Sequence, residues 1–263
     1  MTTLENSVAI LKLFNRSDLN HGQPGLTFSA VVEALGLPKS TVSRLLSIME
    51  SEGLLERDPG SRCFRLGRML LTLASQYLST PLMDCASPMM VRLAAESSST
   101  GYISVLDGRE IMVMRMFQGR MVMQLVTPPG SRMAAAQTSV GRALLARHSD
   151  DYVRKLYQGV WKAGVPNSPQ TLEQLLVELS RIRQQGWALA RNEMLQGISS
   201  LSTTVANKHL GEVVALCLSF PSQSAEQPYS PATLDALQSV TRKLAGQYGD
   251  RTWQEAEIFP IMQ

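Results

Sequence analysis

Cysteine occurs only three times in 263 residues, as Cys63, Cys85 and Cys217. The three are odd in number and far apart, which excludes a disulfide framework and a paired metal-ligand motif and suits a reducing compartment. Histidine is equally scarce, and His21, His148 and His209 stand at no metal-ligand spacing with Cys, Asp or Glu. The sequence lacks a P-loop and a "GxGxxG" turn, so no glycine-rich loop marks a nucleotide-using enzyme. No Ser/His/Asp arrangement stands out. Net charge is only +3, so the chain is no polycation and any surface for nucleic acid must be local. Long apolar runs are missing too: stretches such as "VVALCLSF" at Val213–Phe220 fall far short of a bilayer span. The opening "MTTLENSVAILKLFNRSD" lacks a basic start, and its apolar run is too short for a signal peptide. These absences lead us to expect a cytoplasmic protein with no membrane contact, no cofactor, no metal and no catalytic site.

What is present is a globular composition, 44% apolar and 18% charged. The length allows one large domain or two ordinary ones with a sizeable core. Val8, Leu11, Leu13 and Phe14 recur at helical spacing, and a first helix is expected over about 3–15. Thr27 can cap a second helix that turns Ala30, Val31, Ala34 and Leu35 inward and ends at Gly36. Pro38 suits the start of a third helix, which stops at Gly53. Two short extended runs follow, split by the turn-forming "DPGS", and read as a hairpin. An apolar helix over 68–80 ends before Pro81 and acts as a connector; another helix is expected over about 84–97.

Beyond the connector the character changes. "GYISVLDGREIMVMRMFQGRMVMQLV" reads as three extended runs of an antiparallel meander. "SVGRALLARH", "DYVRKLY" and "SPQTLEQLLVELSRIRQQG" read as helices, "WALARNE", "SSLSTTV" and "EVVALCLSF" as strands, and "SPATLDALQSVTRKLAGQY" as a closing helix. Strands and helices mix without regular alternation, so the expected class is α+β.

The third helix divides its surface. Val42, Leu45, Leu46 and Met49 share one face; Lys39, Ser40, Thr41, Ser43, Arg44 and Ser47 lie away from it, most of them near the N-terminus. A recognition helix needs this arrangement, because its first turns enter the major groove, where Arg can grip a guanine edge. The hairpin would be a wing, with Arg57 and Arg62 on either side of its turn. From Pro38 to Arg68 six cations face four acids, a net of about +2. That modest surplus favours several copies reading repeated half-sites, because phosphate neutralisation supplies much of the affinity.

From Leu37 to Gly67 the chain reads "LPKSTVSRLLSIMESEGLLERDPGSRCFRLG" and resembles the IclR family of bacterial transcription regulators, with its "GLPKSTVHRLL" helix and a wing ending in "YRLG". "PPGSRMAAAQTSVGRALLA" is similar to the family's "G…P…A…GKALLA" segment. "GWALARNEMLQGISSLSTTVANKHLGEVVALCLSFP" is similar to a later one, so the resemblance covers nearly the whole chain. It implies a winged helix-turn-helix DNA-binding domain over 1–67, a linker helix over 68–80, and a GAF-like effector-binding and oligomerisation domain over 81–263. It also implies double-stranded operator DNA and a small-molecule effector as partners, and self-association as dimers or dimers of dimers. The expected function is a sequence-specific transcription regulator, repressor or activator, controlled by a small organic acid of a catabolic pathway.

Matching the family's pocket segment by segment singles out Ser200, Cys217 and Ser219 as effector contacts. Where the family often carries an acidic residue this chain has Ala190 or Arg191, and Arg191 is a candidate to hold a carboxylate by a bidentate contact. Cys217 and Ser219 share one strand face, although Cys217 reads equally as a buried small apolar residue. Met112, Met114 and Met116 are expected on one strand face and suit either an adaptable pocket or core packing. Two rival functions are a winged-helix module fused to an enzymatic domain and a winged helix used for protein contacts.

Overall fold

Capping begins at the second residue. The Thr2 hydroxyl accepts the Glu5 amide at 3.2 Å while the Glu5 carboxylate accepts the Thr2 amide at 2.6 Å, a reciprocal box that starts helix α1, Thr3–Leu13. The computed structural model describes residues 2–15, 25–119, 127–222 and 229–252. Contacts along the chain divide it into two units, Met1–Ser79 and Thr80–Gln263.

In the first unit α1 buries Asn6, Ile10 and Leu13, and leaves Val8 exposed. Helix α2, Phe28–Leu35, is capped by the Thr27 hydroxyl, which accepts the Ala30 amide at 3.1 Å. It ends at Gly36, whose φ of 63° is a left-handed conformation that costs a glycine nothing. Helix α3, Lys39–Ser51, buries Val42, Leu45, Leu46 and Met49 against α1, α2 and the hairpin. Each such side chain contributes about 1.5–3 kcal/mol by leaving water. Strands β1, Leu55–Arg57, and β2, Phe64–Leu66, pair antiparallel with Leu55 opposite Leu66. Two hydrogen bonds between the backbones of Leu26 and Phe64, 2.9 and 2.8 Å, tie the hairpin to the start of the α2 segment. Helix α4, Arg68–Leu78, follows with Leu71 67% and Tyr77 74% exposed.

The second unit opens with α5, Pro81–Glu96, three residues earlier than its sequence signals indicate. Pro81 sits inside the first turn, where its missing N–H has no helical partner to lose. One antiparallel sheet then dominates: β3 (Thr100–Asp107), β4 (Glu110–Phe117), β5 (Arg132–Ala134), β6 (Ala188–Arg191), β7 (Ile198–Asn207) and β8 (Glu212–Pro221), in the order β5-β4-β3-β8-β7-β6. The third run of the expected meander, over 120–126, lies outside the described residues. The strand that pairs with β4 on its far side is β5, which the sequence did not signal.

Helices α6 (Ser139–Leu145), α7 (Asp150–Tyr157) and α8 (Leu172–Gln185) bury Leu144, Val153 and Leu179 in the core on one face of the sheet. Helix α9, Pro231–Tyr248, packs on the other face beside α5. Alternation along β7 explains the split: Ser200 and Ser202 meet α6, while Thr203 exchanges a 2.6 Å hydrogen bond with Thr241 of α9. The end of α9 is tied back to the sheet by a buried pair. Arg147 bonds the Asp250 carboxylate at 2.5 Å and Thr204 Oγ1 at 2.7 Å, and the Ala206 amide donates to Asp250 at 2.8 Å. The unit is α+β, an antiparallel sheet between helical layers.

Candidate nucleic-acid interface and ligand cavity

The polar face of α3 stands clear of the protein. Lys39, Ser40, Ser43 and Arg44 are exposed and Thr41 is half-buried. Among the described residues no side chain caps the helix N-terminus, which leaves its first-turn amides to an outside acceptor.

The wing sorts its cations into two groups. Arg57 bonds Glu50 at 3.3 Å, and its guanidinium lies 4.6 Å above the Phe64 ring. Arg65 pairs with Asp58 at 2.7 Å and Arg68 with Glu56 at 3.8 Å. Asp58 also accepts the Ser61 amide and hydroxyl at 2.9 and 2.8 Å, and these bonds, with Arg65, hold its carboxyl below the usual range. The remaining cations are Lys39, Arg44 and Arg62, which have no acidic partner among the described residues. Arg62 stands at the wing tip with a φ of 57°. Of the seven residues expected at DNA, the structure thus brings Lys39, Ser40, Thr41, Ser43 and Arg44 together on one helix end and leaves Arg62 unpaired on the hairpin. Arg57 stays exposed but is engaged with Glu50 and Phe64.

The second unit holds a cavity of about 200 Å³ between the sheet and the start of α6. Ser200, Cys217 and Ser219 line it, as do Ser104, Ser139 and Tyr102. The Ser139 hydroxyl sits 2.9 Å from that of Ser200 and 2.8 Å from that of Ser202. Cys217 Sγ lies 3.9 Å from Ser219 Oγ. Burial pushes the Cys217 thiol up, against the hydrogen bonds of Ser202, Ser219 and Ser139, so the wall carries a neutral thiol and no thiolate. Burial likewise raises Tyr102, whose hydroxyl bonds Thr127. Ser104 is 1% exposed, and its Oγ has no hydrogen-bond partner among the described residues. Most of the remaining wall is apolar, with Ile111, Val113 and Val140 deep and Met194 and Leu195 half-exposed, and Thr127, Thr138 and Glu193 complete it.

Two sequence expectations change here. Arg191 does not line the cavity. Ala190 pairs with Ser200 across β6 and β7 and takes the inward position, so alternation turns Arg191 into a larger, open and polar depression of about 520 Å³. Met112, Met114 and Met116 do not line it either: Ile111 and Val113 of the same strand do. A register shift opposite Ile103/Ser104 leaves Met114 without a partner residue, and beyond it Met116 packs against the α6 side of the core. The three methionines therefore do not share one face.

Between the two spaces stands an ion pair that sequence reasoning missed. Arg142, 1% exposed at its side chain, grips Glu193 through two bonds of 2.7 and 2.8 Å and also donates to the Leu189 carbonyl at 2.7 Å. Burial pushes the Glu193 carboxyl up and Arg142 opposes it. Glu193 is the one charged side chain on the cavity wall among the described residues, and both its oxygens are engaged. Neither residue carries a local sequence signal, because the pair spans two elements far apart in the chain. Ser139 was concealed for a different reason, since a serine at a helix start reads as an ordinary terminal residue.

Comparison with known proteins bears on both sites. The model of the IclR helix-turn-helix domain matches residues 3–59, and that of the bacterial transcriptional regulator IclR C-terminal domain matches residues 75–245. The HTH-type transcriptional regulator XynR of Escherichia coli is 26% identical over 219 residues, 82% of this chain and 85% of that protein. The HTH-type transcriptional regulator TtgV of Pseudomonas putida is 29% identical over 203 residues, 77% of each chain. Among solved structures, an IclR homologue from Microbacterium hydrocarbonoxydans complexed with 4-hydroxybenzoate has a TM-score of 0.77 at 20% identity, covering 97% of this chain and 100% of that one. At that identity the likeness speaks to the fold.

Proposed function

The chain belongs to the IclR family of bacterial transcription regulators, and from that premise we propose that it reads operator DNA with α3 and its wing under control of a small molecule bound in the 200 Å³ cavity. The observation that carries the DNA half is the set of cations without an acidic partner among the described residues, Lys39, Arg44 and Arg62, beside exposed Ser40 and Ser43. Arg44 and the serines suit base edges and phosphates, Lys39 and Arg62 suit phosphates, and Thr41 supports the helix end. Arg57 contributes indirectly, by stiffening the wing.

Ser200, Cys217 and Ser219 would face the effector together with Ser104 and Ser139. A ligand-bearing relative of the same fold, complexed with 4-hydroxybenzoate, supports an effector of single-ring size. We read this unit as a sensor and not as a catalyst, since the one carboxylate on its wall is already held by Arg142. We assign 1–67 to DNA binding, 68–80 to a linker helix, and the remainder to effector binding and self-association. The apolar exposure of Leu71, Leu73 and Tyr77 on α4 supports a second copy as partner. A cytoplasmic location fits DNA as partner, and among the described residues no helix is long and apolar enough to cross a membrane.

Arg44→Ala tests the reading. Operator affinity should fall by about 1–3 kcal/mol, with relaxed preference at one base position and an unchanged circular dichroism spectrum. Fluorescence anisotropy at fixed salt measures it. Wild-type protein with no preference for any operator at low salt overturns the proposal.

A further inference from the structure

The cavity wall has a chemistry more specific than its size. Apart from Glu193, its polar side chains are hydroxyls and one thiol, all neutral, and no cation lines it among the described residues. Its one carboxylate, Glu193, has both oxygens occupied by Arg142. A carboxylate ligand entering here would give up its water and meet no positive charge, which is costly in a largely apolar enclosure. A neutral ligand has no such penalty.

Ser104 adds a position. It stands on β3 in the face that points to the cavity, 1% exposed, and its Oγ is unpartnered among the described residues. A buried hydroxyl without a partner costs free energy, and a ligand hydroxyl that reached it would recover that cost on binding. The neighbouring Ser200 and Ser202 hydroxyls are by contrast each already bonded to that of Ser139. Size limits the rest: a dry cavity of about 150 Å³ accommodates benzene, so about 200 Å³ holds one ring with a small substituent.

Resting on the sensor reading of the preceding section, we propose that the effector is a neutral single-ring molecule bearing a hydroxyl, phenol-like in chemistry, anchored at Ser104 and excluded in its carboxylate form. A phenolic hydroxyl, with a pKa of about 10, stays neutral at pH 7 and both donates and accepts. Met194 and Leu195, half-exposed and apolar, then cover the ring from the solvent side.

The test uses the full chain and three probes of one shape: 4-methylphenol, toluene and 4-hydroxybenzoate. The first and last differ only by methyl against carboxylate, and the first two only by the hydroxyl. Isothermal titration at pH 7 should give 4-methylphenol an affinity at least about tenfold above either other probe. Ser104→Ala should bring 4-methylphenol down by about tenfold, towards toluene, and leave toluene unchanged. This substitution removes one atom from a site without a partner, so the fold should survive it, and thermal melting of the variant verifies this. Equal or tighter binding of 4-hydroxybenzoate overturns the neutral class while leaving the cavity as the effector site. Unaltered 4-methylphenol affinity in Ser104→Ala overturns the anchor. Binding of none of the three overturns the proposal as a whole, whereas the DNA-reading function stands or falls separately on Arg44→Ala.

Discussion

Arg57 and Arg62 flank the same turn, yet their guanidinium groups meet different surroundings. Arg57 lies over Phe64 and pairs with Glu50, and Arg62 has no acid beside it among the described residues. The two substitutions should therefore separate into different observables. Arg62→Ala should lower the slope of log affinity against log salt by about 1, with melting unchanged, because one phosphate contact disappears. Arg57→Ala should reduce stability by about 0.5–1 kcal/mol through the lost cation–π contact and alter the salt slope little. Anisotropy titrations over a range of salt concentrations, set beside thermal melts, distinguish the two. The formal count of about +2 for this region is unaffected by who pairs with whom, but the structure distributes it: three of the four acids are consumed by Arg57, Arg65 and Arg68.

Helix α6 is the element on which the cavity depends, since it presents Ser139 at one end and Arg142 a turn later. It lies so close to the backbone of Ala135 that a Cβ on Gly141 would stand 2.1 Å from the Ala135 carbonyl oxygen. Gly141→Ala should accordingly push the helix off its seat and cost at least about 1–3 kcal/mol. A lower denaturant midpoint would register this, and probe binding in the cavity should weaken with it. The segment "SVGRALLA" was legible as a helix from its apolar spacing, as were α3 and its two faces. Close packing at Gly141 was not legible, because it depends on backbone brought in from outside the helix. β5 escaped notice since three residues cannot display a period. Arg191 stands one residue from the inward-facing Ala190, and in a strand one residue is the difference between the two faces. Ser200, Cys217 and Ser219 converge because β7 and β8 pair with Ser200 opposite Ser219 and Ser202 opposite Cys217.

For the molecule as a whole, acid is the informative perturbation. Burial alone would raise the Asp250 carboxyl, but Arg147, Thr252 and the Ala206 amide outweigh it and hold the pKa below the ordinary value. A depressed carboxyl contributes stability at pH above its unfolded value, and the contribution is lost as pH falls through the folded one. Unfolding free energy of the second unit should therefore be steady near neutrality and decline below about pH 4. Asp250→Asn should cost about 3–5 kcal/mol at pH 7, since Arg147 is then buried without its counter-charge, and should flatten the acid decline. Denaturant melts at a series of pH values test both statements; an undiminished acid slope in the variant would assign it to other carboxyls. The sheet order carries one more consequence, for how the protein is made. β3 finds its partner in β8, with Thr100 opposite Ser219, so the centre of the sheet cannot close until nearly all of the chain has left the ribosome. The first unit has no such dependence on distant sequence. At roughly 5–20 residues per second of synthesis, the reading head can be folded for several seconds before there is any chamber to instruct it.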